Sequence, residues 1–165
     1  MNEILLTTWG NISRGDDALG PLLLQRLQAW ATPLGLAERF EWVEDFQLQI
    51  EHALNLEGKT LALYIDAGQN TPAPFAFTPI APARQPWHTT HAMPPESVLA
   101  VYEQITKKPP CPCFTLCLKG EDFSIRTKLS AAAQTHLESA LIFAQALLNN
   151  PTPQDWRALA RSRPV

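Results

Sequence analysis

The chain has 165 residues, of which 45% are hydrophobic and 18% charged, and its formal net charge is −3. This length suits one folded domain, and the apolar content argues against wholesale disorder. The slightly acidic balance and the lack of a long basic run argue against nucleic acid or an anionic membrane as a partner. No apolar run approaches the roughly 20 residues that span a bilayer, so we expect no membrane association.

Apolar residues at alternating or helical spacing predict five strands and four helices. The predicted elements are, in chain order, a strand at 4–9, a helix at 19–30, a strand at 40–44, a short helix at 46–54, strands at 60–65 and 75–80, a helix at 96–105, a strand at 114–118 and a helix at 131–148. The short helix is expected to bury one apolar face, made of Phe46, Ile50, Ala53 and Leu54. Ser130 is the expected N-cap of the last helix.

The alternation of strands with helices predicts a three-layer α/β/α sandwich with a mostly parallel sheet of about five strands. The strand at 60–65 is apolar on both faces, so it should be central, whereas the proline-flanked strand at 75–80 should be at an edge or bulged. Residues 1–150 are expected to form a single α/β domain. The arginine-containing segment 151–165 is expected to be a loosely attached tail.

The three cysteines are odd in number, and the chain starts without the basic and apolar regions of a signal peptide. Both features predict a reducing, cytoplasmic location. Cys117 falls in a predicted buried strand, where cysteine packs as a small apolar residue. Cys111 and Cys113 lie in a proline-rich loop, and metal binding or redox activity stays open for them.

Polar residues that follow the strands are the candidates for chemistry, because ligands of open α/β sheets bind at the carboxyl ends of the strands. Asp16 and Asp17 follow the first strand, Asp66 follows the third, and His91 lies in a polar loop that also holds His88. Two carboxylates and an imidazole suit zinc, nickel or a similar divalent ion. Each residue also has an ordinary alternative: a helix cap, a turn or an exposed histidine.

The segment 9–20, which reads Trp-Gly-Asn-Ile-Ser-Arg-Gly-Asp-Asp-Ala-Leu-Gly, resembles the N-terminal signature of nickel–iron hydrogenase maturation endopeptidases. The resemblance continues at Ile-Asp-Ala of 65–67 and at Thr-His-Ala-Met-Pro of 90–94. It continues again at Leu-Lys-Gly of 118–120 and at Leu-Ser of 129–130. Order and spacing therefore agree over nearly the whole chain.

This resemblance implies an α/β/α peptidase domain in which Asp17, Asp66 and His91 are the metal-binding and catalytic residues. The implied reaction removes the C-terminal extension of a hydrogenase large-subunit precursor after nickel has been inserted. Nickel held by the precursor would serve as the recognition feature, and the peptidase would be a cytoplasmic monomer. A divalent ion can activate water or polarise a carbonyl, and one of the acids, Asp16 included, would act as the general base.

One segment departs from the family pattern. Where many members have a Gly-Gly-Thr-like sequence after the second strand, this chain reads Asp-Phe-Gln-Leu-Gln-Ile-Glu-His-Ala at 45–53. This looks like the branch that serves NAD-reducing, bidirectional hydrogenases. Gln47 and Glu51 are candidates for replacing the substrate contact, the alternative being that both are simply exposed. Two other functions stay open, a nickel-binding maturation chaperone without peptidase activity and a small-molecule hydrolase.

Overall fold

A computed structural model describes residues 2–85, 87 and 92–162 of the chain. Its strands and α-helices are, in order, β1 (Ile4–Trp9), α1 (Leu19–Ala31), β2 (Phe40–Asp45), β3 (Leu61–Gly68), β4 (Phe75–Ile80), α2 (Pro95–Thr106), β5 (Cys113–Lys119), α3 (Ala131–Asn149) and α4 (Pro153–Arg161). Short 3₁₀ helices occupy Gly15–Ala18, Ala37–Arg39 and Ile50–Leu56. The five predicted strands and three of the four predicted helices are confirmed within a few residues.

The strands form one sheet in the order β2-β1-β3-β5-β4. Neighbours from β2 to β5 pair in parallel, and β4 pairs antiparallel with β5. The apolar strand β3 is central, as its sequence predicts, and the proline-flanked β4 is at an edge. The described part of the chain contains no helix that is long and apolar enough to cross a membrane.

Alternate residues of each strand face two different helical layers, which makes the fold an α/β/α sandwich. On one face, Leu63 and Leu116 pack into a core with residues of α1, α3 and α4. On the other face, Leu5 and Ala62 pack with α2 and the 3₁₀ helix Ile50–Leu56. The start of α3 is capped as expected, since the Ser130 hydroxyl accepts a hydrogen bond from the backbone of this helix. The predicted fold class is therefore confirmed.

The short helix predicted at 46–54 is wrong in type, extent and buried face. Residues 46–49 are non-helical, and a 3₁₀ helix follows at Ile50–Leu56. A 3₁₀ helix repeats every three residues, so Ala53 and Leu56 share its buried side while Leu54 is 68% exposed. Phe46 is 64% exposed, outside any helix.

The expectation of a loosely attached tail after residue 150 is also wrong. Thr152 caps helix α4, accepting a hydrogen bond from the Asp155 backbone amide at 3.1 Å. Trp156 is fully buried, and its indole nitrogen donates to the carbonyl oxygen of Leu147 at 3.0 Å. Its ring packs edge-on against Phe114 of β5. One large aromatic side chain therefore fixes a segment whose other residues are mostly polar.

Candidate functional site

Asp17 is placed by a close backbone approach that requires glycine at position 10. A Cβ atom at Gly10 would lie 2.2 Å from the carbonyl oxygen of Asp17, so a side chain cannot fit there. The backbone amide of Asn11 donates to Asp17 Oδ2 at 2.7 Å. The Gly10-Asn11 turn after β1 therefore fixes the orientation of the Asp17 carboxylate.

A second glycine brings α1 close to the ends of two strands. A Cβ atom at Gly20 would lie 2.2 Å from Thr8 Oγ1 and 3.2 Å from the carbonyl oxygen of Ile65. Thr8 Oγ1 donates to that same carbonyl at 2.9 Å, which links β1 to β3. The 3₁₀ helix Gly15–Ala18 consequently contacts β3, and the Asp17 it carries lies near Asp66.

Among the site carboxylates, Asp66 has the pKa that is raised furthest above its ordinary value. It lies inside β3, which runs to Gly68, rather than directly after the strand. Burial is the main cause that raises the pKa of Asp66 to about 7, the negative charge of Asp17 raises it further, and a hydrogen bond from the Ala67 backbone opposes both. Asp66 is therefore a carboxyl group that can exchange a proton near neutral pH.

Cys117 lies beside Asp66, and sequence reasoning missed this. The two residues are in register on β3 and β5, so their side chains share one face of the sheet. The Sγ atom of Cys117 lies 3.0 Å from the hydroxyl of Thr71. Burial, together with the charge of Asp66, raises the pKa of the Cys117 thiol. Strand register was the missing information, because the sequence alone gives no alignment of β5 with β3.

Asp16 has a structural role, and the catalytic role considered for it does not fit its surroundings. Its side chain is fully buried, and its carboxylate accepts hydrogen bonds from the backbone amides of Glu121, Asp122 and Ser130 and from the Ser130 hydroxyl, at 2.7–3.0 Å. Burial alone would raise the pKa of Asp16, but these hydrogen bonds outweigh it and the pKa is lowered. With both oxygens occupied by donors, Asp16 is unsuited to act as a general base.

The other candidates are not brought together with Asp17 and Asp66 by the described structure. His91 and its neighbour His88 lie outside the described residues. Gln47 is exposed just after β2, and Glu51 is exposed on the 3₁₀ helix that follows. Across residues 2–85, 87 and 92–162, no three histidine, cysteine, aspartate or glutamate side chains are grouped so as to hold a metal ion. Asp17 and Asp66 thus form a two-carboxylate site there.

Solved structures that share this fold include hydrogenase maturation endopeptidases. One is the hydrogenase maturating endopeptidase HybD from E. coli, at 18% identity and a TM-score of 0.62, with 92% of this chain and 94% of that one covered. Another is the nickel–iron hydrogenase maturation protease HycI from Thermococcus kodakarensis, at 17% identity and a TM-score of 0.64, with 90% and 94% covered. No family model and no curated protein sequence matches the chain.

Proposed function

We propose that the protein is an endopeptidase that removes the C-terminal extension of a nickel-loaded hydrogenase large-subunit precursor. The observation that carries this proposal is the pairing of Asp17 with Asp66 at the carboxyl end of the central strands. The fold it shares with named hydrogenase maturation endopeptidases supports the same function. The sequence signature at 9–20 contains Asp17, and the second matching segment at 65–67 contains Asp66.

The two carboxylates fit a divalent cation chemically. The Asn11 amide holds one oxygen of Asp17, and burial makes the charged form of Asp66 unfavourable without a counter-ion. A cation brought between the two acids would stabilise both negative charges and displace the Asp66 proton. In our proposal this cation is the nickel of the precursor, hence part of the substrate, and His91 supplies the third protein ligand.

Asp66 also links the binding of nickel to the release of a proton. Without a cation its pKa is raised to about 7, so it can carry a proton near neutral pH, and a bound cation would displace that proton. A metal-bound Asp66 has a lowered pKa and does not serve as the general base in our proposal. Asp16 is excluded from the general-base role by its four hydrogen bonds.

The test is a processing assay on a nickel-loaded precursor, read by mass spectrometry of the large subunit. We expect Asp17→Asn, Asp66→Asn and His91→Ala each to leave the precursor at full length while remaining folded. Glu138→Gln is the matched control, because this exposed carboxylate pairs with Arg26 on the helical surface at 2.9 Å. Normal trimming by all three site variants would refute the assignment.

The same assay separates the alternative functions. A maturation chaperone would improve nickel loading without shortening the subunit, whereas a peptidase shortens it. A small-molecule hydrolase would cleave small amides or esters and leave the precursor intact. Each of these two results would contradict our proposal.

The finer assignment is to the branch that serves NAD-reducing, bidirectional hydrogenases, acting in the cytoplasm as a monomer. Its support is the segment 45–53, where Gln47 and Glu51 stand in place of a glycine-rich sequence. Both side chains are exposed and so are available to a substrate. A processing assay with precursors of several hydrogenase classes tests this branch assignment. Faster processing of a precursor from another class would overturn the assignment. Gln47→Ala and Glu51→Ala should then raise KM more than they lower kcat.

A further inference from the structure

Cys111 and Cys113 form a thiol pair at the end of β5 opposite to Asp66. Cys113 begins the strand, in register with Ala62, whereas Cys117 at its other end is in register with Asp66. The Ala62 amide donates to the carbonyl oxygen of the intervening Pro112 at 3.0 Å, which ties the pair to the sheet. The Cys113 thiol reaches back to the carbonyl oxygen of Cys111 at 3.1 Å. The two thiols are therefore neighbours.

The two thiols differ sharply in environment. Cys113 is only 3% exposed, and its Sγ atom donates to the carbonyl oxygen of Cys111 at 3.1 Å. Cys111 is partly exposed. Hydrogen bonding between the thiols, with a smaller contribution from the Lys59 charge, lowers the pKa of Cys111, whereas the same bond and burial raise the pKa of Cys113. Cys111 is thus the accessible nucleophile, and Cys113 is a protected second thiol.

Lys59 and Tyr64 complete the surroundings of the pair. The Lys59 side chain is only 10% exposed, and its ammonium group is held 2.8 Å from Glu41 Oε2. Tyr64 is fully buried, and its hydroxyl has no hydrogen-bond partner in the part of the chain that the structure describes. The charges of Cys113 and Cys111 both act on this hydroxyl. The Tyr64 hydroxyl is therefore a donor without an acceptor in the described residues, and it belongs to the same buried cluster as Cys113.

We propose that Cys111 and Cys113 are a thiol–disulfide exchange pair that closes to an intramolecular disulfide, with a small-molecule disulfide as the oxidant. The Cys111 thiolate attacks one sulfur of the oxidant, which breaks its S–S bond and releases one small thiol. Cys113, after losing its proton, attacks the Cys111 sulfur of this mixed disulfide. The Cys111–Cys113 bond forms, and a second small thiol leaves. Two electrons and two protons pass from the protein to the oxidant.

Binding of a soft metal ion by the same two sulfur atoms fits the site less well. Such binding requires both cysteines to be thiolates at the same time. The raised pKa of the buried Cys113 opposes this, because its causes are the hydrogen bond to Cys111, burial and the Cys111 charge, with no cation among them. Exchange requires only one thiolate at a time, because the Cys111 sulfur is neutral once it carries the mixed disulfide.

The test exposes the full-length protein to oxidised glutathione, quenches it with acid and counts free thiols by alkylation and mass spectrometry. We expect the wild type to lose two hydrogen atoms, retain no glutathione and be alkylated only at Cys117. Cys117→Ser should form the same disulfide. Cys113→Ser should accumulate a stable glutathione adduct on Cys111, and Cys111→Ser should not react at a comparable rate. A lasting adduct on the wild type, oxidation at Cys117 or three surviving thiols would each overturn the proposal.

Lys59→Met tests whether the buried ammonium group promotes the attack by Cys111. We expect exchange to slow by about three- to tenfold near neutral pH and to match the wild type above about pH 10.5, where the thiolate is fully formed in both proteins. Identical pH–rate profiles for the two proteins would remove Lys59 from this role. This chemistry is independent of the proposed peptidase activity, so Cys111→Ser and Cys113→Ser should process the precursor normally under reducing conditions.

Discussion

The carboxylate of Asp16 accepts hydrogen bonds from both the backbone amide and the hydroxyl of Ser130, at 2.8 and 2.7 Å. The same hydroxyl accepts from the Ala133 amide at 3.2 Å and so caps helix α3. These hydrogen bonds join the 3₁₀ helix Gly15–Ala18, which precedes α1, to the start of α3. Asp16 is a structural residue, although it is the immediate neighbour of the site residue Asp17.

We predict that Asp16→Ala lowers the free energy of unfolding by about 3–5 kcal/mol, because several buried donors lose a charged acceptor. Asp16→Asn should be milder but clearly destabilising, since an amide offers only one acceptor oxygen. Urea unfolding measures both effects, with Asp155→Asn at an exposed helix terminus as a control. If Asp16→Asn had normal stability but failed to process the precursor, the structural role would be contradicted and Asp16 would be a catalytic residue instead.

Asp66 should make stability fall as the pH rises. Its pKa is about 7 in the folded protein against an ordinary 3.8, so the folded state holds the proton more tightly than the unfolded state does. The neutral carboxyl therefore stabilises the folded protein fully below about pH 3.8. This stabilisation is lost as the pH rises from 3.8 to about 7 and is absent at higher pH.

Asp66→Asn should remove this dependence. Relative to the wild type, the variant should gain about 2–3 kcal/mol in unfolding free energy between about pH 5 and about pH 8. Chemical denaturation of both proteins in the presence of a chelator measures the difference, and the chelator prevents a bound cation from masking it. A constant difference between the two proteins across this range would show that Asp66 has an ordinary acidity.

Gly10→Ala should destabilise the protein and displace Asp17. The new Cβ atom would lie 2.2 Å from the Asp17 carbonyl oxygen, and backbone atoms cannot move aside cheaply. We expect a loss of about 2–4 kcal/mol and reduced precursor processing. Gly58→Ala is the matched control, because Gly58 has a φ of +76° and no atom within 4 Å of an added Cβ. The control should lose about 1 kcal/mol and keep its activity, and equal losses in the two variants would contradict the close approach.

Trp156→Ala should test the attachment of α4. Removing this fully buried indole leaves a cavity against Phe114 and takes away the donor to Leu147, so we expect a loss of about 3–5 kcal/mol. The neighbouring Arg157 is exposed, and Arg157→Ala should change stability by less than about 0.5 kcal/mol. Thermal unfolding compares the two. Equal stability of Trp156→Ala and the wild type would mean that α4 is loosely held after all.

The strands could be predicted because each is a short run of apolar and β-branched residues between turn signals. The apolar faces of β3 made its central position readable. Phe46 and Trp156 misled the prediction in opposite directions, since one large apolar residue is exposed and the other is fully buried. Whether a single aromatic side chain finds a core is decided by tertiary packing, which local spacing does not contain.

The candidate site was only partly within reach of the sequence. Strand ends and the family resemblance pointed to Asp17 and Asp66, and the structure brings these two near each other. The roles of the adjacent acids Asp16 and Asp17 could not be separated, because the donors to Asp16 come from residues more than 100 positions away. The contact between Asp66 and Cys117 likewise depends on strand register. The local sequence therefore identifies the acidic candidates. Their separate roles depend on hydrogen bonds and strand pairing between residues that are far apart in the sequence.

Pro79 bears on how this molecule behaves at high concentration. The backbone amide of Lys119 donates to the carbonyl oxygen of Pro74 at 3.0 Å. In an antiparallel pair, hydrogen-bonded and non-hydrogen-bonded positions alternate, so Pro79, five residues further along β4, is at a non-hydrogen-bonded position. Its backbone nitrogen therefore points away from β5. A proline nitrogen carries no hydrogen, and this open side of β4 lacks a donor where an incoming strand would need one. The sheet is thereby poorly suited to extension by a second copy or by an unfolded peptide at this side.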